Sequence, residues 1–321
     1  MPPARSLLPF LALVIGAGAA RSEVGTTTYA YKRVGELEIR ADVRRDAAAQ
    51  GQGRRPVLMW IHGGALIFGG RASLPPIAEA LLAANYAVVS IDYRLAPETR
   101  LPAIVGDVED AYRWIRERGP GLFGADPDRI AVAGGSAGGY LALTLGFRAH
   151  PGPVALVSFW GYGDLVGPWY SEPSTNPRHR RIVTTRENAF AQVSGPPIAN
   201  EADRPGSGAM FYQYCRQQGL WPEAVTGWNP HREPGRFYPY MPLRNVTPGY
   251  PPTLLVHGER DTDVPHAQSE AMAAELGRNG VEHELVSVPR GEHGLEGADP
   301  RAVEAAYRRA FGFLRDHLEK R

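Results

Sequence analysis

The sequence predicts a mostly parallel, doubly wound α/β sheet interrupted by one long insertion. Short continuous apolar runs recur along the chain, and stretches of helical apolar spacing alternate with them. The alternation stops near residue 161 and resumes near residue 251. A chain of 321 residues that is 43% hydrophobic suits one large α/β unit and excludes a disordered protein.

The elements follow in order. Residues 27–34 and 36–44 alternate apolar and polar side chains, as two antiparallel strands at a sheet edge would. Residues 56–61 form a continuous apolar run, the mark of a strand covered on both faces. A helical stretch at 77–84 and a second buried strand at 86–91 come next. Residues 104–118 place Val108, Ala111 and Ile115 on one helix face. Strand 129–133, helix 137–147 and strand 153–159 complete the first block. After the interruption the pattern predicts strand 253–256, helix 266–276, strand 282–288 and helix 303–318.

The interruption, residues 161–250, is rich in proline and contains Trp169, Trp221 and Trp228. A stretch of this length inside a compact domain is rarely structureless. It reads as an inserted cap, with short helices expected at 185–193 and 207–218 and with aromatic side chains packing a small core of its own. The catalytic domain would then comprise residues 21–160 and 251–321. At the N-terminus, Arg5, the apolar stretch 7–20 and Ala17-Gly18-Ala19 have the layout of a secretory signal peptide over residues 1–20. The expectation is a secreted or periplasmic protein with no transmembrane segment in the mature chain.

Thirty-five basic residues against 34 acidic ones argue against a nucleic-acid partner. A single cysteine, Cys215, excludes a disulfide framework and a Cys-rich zinc site. Its helical spacing from Phe211 and Tyr212 reads as buried packing. No histidine spacing for zinc and no calcium loop is present, so neither a cofactor nor a metal is implied.

The chemistry centres on Gly134-x-Ser136-x-Gly138, which follows a predicted strand and precedes a predicted helix. That context makes it a nucleophile elbow: a sharp turn in which residues two before and two after the serine must lack bulk. Ser136 would stand at a helix N-terminus, where N–H groups favour negative charge. A second glycine cluster, His62-Gly63-Gly64-Ala65, follows another buried strand. Its N–H groups, with that of Ala137, would face a tetrahedral oxyanion. An acid and then a histidine should follow the serine in chain order. His293 sits just after the last predicted strand, on the sheet edge that carries Ser136. Asp261 or Asp263, after the strand at 253–256, could hold its imidazole; Asp263 could instead cap the helix that begins near Pro265.

These motifs, together with Asp92-Tyr93-Arg94-Leu95-Ala96-Pro97-Glu98 and His257-Gly258-x-x-Asp261-x-x-Val264-Pro265, resemble α/β-hydrolase carboxylesterases of the hormone-sensitive-lipase-like and feruloyl-esterase-like branches. The resemblance covers the chain from about residue 30 to the C-terminus, apart from the insertion. It implies an α/β-hydrolase fold with Ser136 as nucleophile, His293 as general base and Asp261 as orienting acid. Gly64, Ala65 and Ala137 would supply the oxyanion N–H groups. Ala65 stands where the hormone-sensitive-lipase-like branch usually has a third glycine. Arg94 and Glu98 are expected to form a buried structural pair. The activity implied is cleavage of carboxylic esters through an acyl-enzyme, and the insertion, which leaves the sheet beside Ser136, is expected to restrict it to small, soluble esters. A prolyl-type peptidase or amidase shares the triad, and a non-catalytic hydrolase-fold binding protein shares the fold.

Overall fold

The computed structural model describes residues 24–46 and 53–320. The expected signal peptide lies outside the described residues. Eight strands form one sheet in the order β1-β2-β4-β3-β5-β6-β7-β8. β1 (Val24–Val34), β2 (Leu37–Asp46) and β4 (Ala87–Ile91) pair antiparallel. From β4 onward, β3 (Arg55–Ile61), β5 (Ala125–Gly135), β6 (Leu156–Phe159), β7 (Thr253–Gly258) and β8 (His283–Val288) run parallel. β3, β4 and β6 are buried at every position, which is why their sequences are mostly apolar rather than alternating, with only Arg55, Ser90 and Ser158 as polar members.

Helices cover both faces. α1 (Ala78–Ala83) and α11 (Pro300–Leu318) pack with Leu58, Trp60, Val88 and Val157 on one side. α2 (Leu101–Phe123), α3 (Ala137–Arg148) and α10 (Ala267–Arg278) pack with Val57, Met59, Val89 and Val132 on the other. α2 runs five residues past the predicted end, through Gly119-Pro120, and stops at Gly124 in a left-handed conformation (φ 73°). Tertiary packing overrides the breakers there. Phe123 is buried, and a side chain at position 119 would press within 2.8 Å of its ring.

Between β6 and β7 lie six short helices: α4 (Pro168–Ser171), α5 (Pro177–Arg180), α6 (Arg186–Phe190), α7 (Ala209–Gln218), α8 (Trp221–Thr226) and α9 (Pro242–Asn245). α6 and α7 fall within the two predicted helices. The others span four to six residues, too short to show helical periodicity. One expectation is corrected. The aromatic side chains here do not form a separate core. Tyr170, Phe211, Trp221 and Phe237 belong to the same buried cluster as Val132, Tyr140 and Tyr162. Tyr170 stacks on Trp221 at 3.8 Å, Tyr162 meets both rings edge-on, and the Trp221 indole donates to the Ala65 carbonyl at 3.0 Å. The insertion is therefore built onto the sheet's own helical layer. Among the described residues no helix is long and apolar enough to cross a membrane.

Candidate active site

Four loops at the C-terminal ends of parallel strands meet at one point, the edge where open α/β sheets hold their ligands. The first is the turn from β5 into α3. Ser136 adopts φ 56° and ψ −120°, a conformation that costs a residue other than glycine on the order of 1–3 kcal/mol. The glycines around it make the turn possible. A Cβ at Gly134 would lie 2.2 Å from the Gly138 carbonyl oxygen, and one at Gly138 would lie 2.0 Å from that of Ile61. The Ser136 N–H donates to the Phe159 carbonyl at 2.8 Å, tying the elbow to β6.

His293, after β8, faces this serine. Its Nε2 is 3.0 Å from Ser136 Oγ and its Nδ1 is 2.7 Å from Asp261 Oδ2. The carboxylate accepts from Nδ1–H, which leaves Nε2 unprotonated to accept from the hydroxyl. Burial lowers the basicity of His293, but the Asp261 hydrogen bond and the Asp263 charge outweigh it, so its pKa is raised above the ordinary histidine value. Asp261, after β7, is fixed on every side. Its Oδ1 accepts the N–H groups of Asp263 and Val264, both at 2.8 Å. The His257 imidazole donates Nε2–H between Asp261 Oδ2 (3.1 Å) and the Val264 carbonyl (3.0 Å), while its Nδ1 accepts from Ser269 Oγ at 2.7 Å. Burial alone would raise the Asp261 pKa; the bonds from His257 and His293 bring it down to about 2.

The fourth loop, after β3, holds Gly64 and Ala65 beside the elbow. A Cβ at Gly63 would touch the Gly135 carbonyl oxygen at 2.8 Å and Ser136 Cβ at 3.2 Å. The N–H groups of Gly64 and Ala65 donate to no backbone carbonyl among the described residues. Ala137 is the first residue of α3, where a helix leaves its N–H groups without intrahelical partners. Ala65 takes a left-handed φ of 55° in spite of its Cβ. His62 is a structural support here. It is buried, stacks on Tyr93 at 4.2 Å, and burial brings its pKa down to about 4, so it is neutral at pH 7.

Two further expectations are corrected. Arg94 and Glu98 do not pair. The segment between them is not helical, so the four-residue spacing does not place them on one face. Arg94 instead clasps Asp107 of α2 at 2.7 Å through both Nε and a terminal nitrogen. Glu98 takes Arg204 of the insertion at 2.9 Å. Nor does Asp263 cap α10. It is buried, and its Oδ1 accepts from His179 Nε2 (2.9 Å), Arg216 (2.9 Å) and the Tyr212 hydroxyl, all from the insertion. Burial would raise its pKa; the His179 bond and the His293 and Arg216 charges hold it well below the carboxylate range. Tyr212 and Arg216 are four residues apart, so they share one face of α7, and a polar pair inside an apolar helix face was the one sign of this network in the sequence. Cys215 is buried, and burial pushes its thiol up to about 12.

Residues 58–296 match the family model described as the alpha/beta hydrolase fold. Among curated proteins, the chain is 29% identical to a non-reducing polyketide synthase of Penicillium rubens over 91% of its own length. It spans only 14% of that relative. Among solved structures, a Staphylococcus aureus protein of unknown function superposes with a TM-score of 0.70 at 21% identity, covering 91% of this chain and 99% of that one. Thermogutta terrifontis esterase 2, phosphorylated by paraoxon, superposes with a TM-score of 0.64 at 20% identity, covering 91% and 94%. The sheet order, the strand-end loops and the matched residues lead to one conclusion: the chain belongs to the α/β-hydrolase fold family.

Proposed function

We propose that this protein is a serine hydrolase that cleaves carboxylic esters of small, soluble substrates. The observation that carries this reading is the continuous chain from Ser136 Oγ through His293 to Asp261, with links of 3.0 and 2.7 Å. Ser136 Oγ attacks the ester carbonyl while His293 Nε2 takes its proton. Asp261 holds the ring in the required tautomer and stabilises the imidazolium. The N–H groups of Gly64, Ala65 and Ala137 stabilise the oxyanion. His293 then returns the proton to the departing alcohol, leaving an acyl-enzyme. Water, deprotonated by the same imidazole, releases the acid. No step calls on a metal or an organic cofactor. The N-terminal layout supports export, to the periplasm or the medium. The similarity to one portion of a polyketide synthase supports a second leaving group, a thiol, which the same acyl-transfer chemistry accepts.

The insertion begins at the C-terminal end of β6, beside the Ser136 loop, which supports a limit on how long an acyl group can reach the serine. The test is kcat/KM across p-nitrophenyl esters of two to sixteen acyl carbons, with an acyl thioester and a proline-containing peptide anilide alongside. Short-chain esters should be cleaved fastest. A maximum at the longest chains, or faster anilide than acetate cleavage, would overturn this reading.

A further inference from the structure

We infer that Asp263 recognises the alcohol portion of the substrate, accepting a hydrogen bond from a hydroxyl on the carbon next to the one bearing the ester oxygen. The preferred substrates are then acyl esters of diols and polyols. This inference rests on the esterase reading and names its substrate class.

Its basis is a buried carboxylate with its two oxygens used differently. Oδ1 is saturated by His179, Tyr212 and Arg216, and the backbone N–H is held by Asp261, so the group cannot rotate away. Oδ2 has no hydrogen-bond donor among the described residues. Arg178 Nε lies 3.9 Å from it and His293 Nε2 4.0 Å, both beyond hydrogen-bonding range. Asp261 already orients the imidazole from its other nitrogen, so the His293–Ser136 geometry does not require Asp263. What Asp263 does is place a bare carboxylate oxygen beside the very nitrogen that hands a proton to the leaving group. The departing oxygen must come within hydrogen-bonding distance of His293 Nε2. A substituent one carbon further along the alcohol then reaches Oδ2. An acceptor-only oxygen selects a donor. Arg178, on the same side at a similar distance, disfavours an ammonium and leaves a neutral hydroxyl as the fitting group. The low pKa of Asp263 keeps the acceptor ionised through the working range.

The experiment compares three acetates of matched size by acetate release: 2-hydroxyethyl, propyl and 2-methoxyethyl acetate. With the wild-type protein, kcat/KM for the hydroxyethyl ester should exceed that for the propyl ester about tenfold or more, the scale of a hydrogen bond to a charged group. The methoxyethyl ester, which has the oxygen but not the proton, should fall to the propyl level. In Asp263→Asn the three insertion donors hold the amide oxygen, the NH₂ group takes the place of Oδ2, and the ratio should fall to about one. A role confined to the electrostatics of His293 would change all three esters equally. Equal wild-type rates on the hydroxyethyl and propyl esters, or full activity on the methoxyethyl ester, would overturn the inference whether or not the variant folds, while leaving the esterase reading intact. If none of the three esters is cleaved, the esterase reading fails and the inference fails with it.

Discussion

Replacing Arg216 by methionine should destabilise the protein through a partner it leaves behind. Arg216 is 3% exposed. Its guanidinium donates to Asp263 Oδ1 (2.9 Å), the Asp263 carbonyl (3.0 Å), the Tyr212 hydroxyl (2.8 Å) and the Trp169 carbonyl (3.1 Å). It also lies over the Tyr170 ring at 4.8 Å. Methionine keeps much of the volume, so packing loss is small, but Asp263 would remain a buried carboxylate without its closest cation. Removing one member of a buried ion pair costs about 3–5 kcal/mol. Urea denaturation at pH 7 should show a loss of that order. The difference should shrink below about pH 4, because the depressed Asp263 pKa contributes stability above the unfolded carboxylate value and loses it as pH falls. Arg216→Lys, which keeps the charge but not the planar fork, should fall between the two. A loss under about 1 kcal/mol for Arg216→Met, below even that range, would refute the view that this pair joins the insertion to the loop after β7.

The other predictions concern the site. Asp261→Asn should lower kcat/KM by about 10³–10⁴ by favouring the wrong imidazole tautomer, with Asp263→Asn costing far less on a simple ester; the reverse order would reassign the orienting acid. In the proposed mechanism His293 accepts a proton only when neutral, and its pKa is raised, so kcat/KM should fall with decreasing pH through a value above the ordinary ~6.5. Of the charged groups around it, Asp261 and Asp263 raise that value and Arg178 lowers it, so Asp263→Asn should move the acid limb to lower pH. Ala65→Gly should be neutral or stabilising by up to about 1 kcal/mol, because glycine tolerates the left-handed φ that alanine holds under strain. Thermal or urea unfolding would measure it, and a loss above about 1 kcal/mol would contradict the strain argument.

Much of this architecture was legible in the sequence because it rests on local rules. Buried parallel strands read as largely apolar runs, and the elbow needs glycine where a Cβ would fall 2.0 or 2.2 Å from a carbonyl oxygen. Ser136, His293 and Asp261 converge because each follows a parallel strand, and strand order alone brings their loops to one edge. What could not be read depended on contacts distant in the chain. Asp263 has His179, Tyr212 and Arg216 as partners, 47 or more residues away. Arg94 and Glu98, neighbours in sequence, turn to Asp107 and Arg204 because buried charges take whichever opposite charge the fold brings nearest. The short helices of the insertion escape a periodicity argument for want of length. Its aromatic residues were read as an independent core because nothing in a linear pattern says which other apolar surface they will meet.

The central claim is that Ser136 is an activated nucleophile. The most direct measurement is stoichiometric labelling with a fluorophosphonate, followed by mapping of the modified peptide by mass spectrometry. One adduct per chain is expected, on Ser136, formed at a rate that falls by orders of magnitude in His293→Ala and is abolished in Ser136→Ala. Labelling at another residue, or undiminished labelling and ester turnover in a folded Ser136→Ala protein, would contradict it.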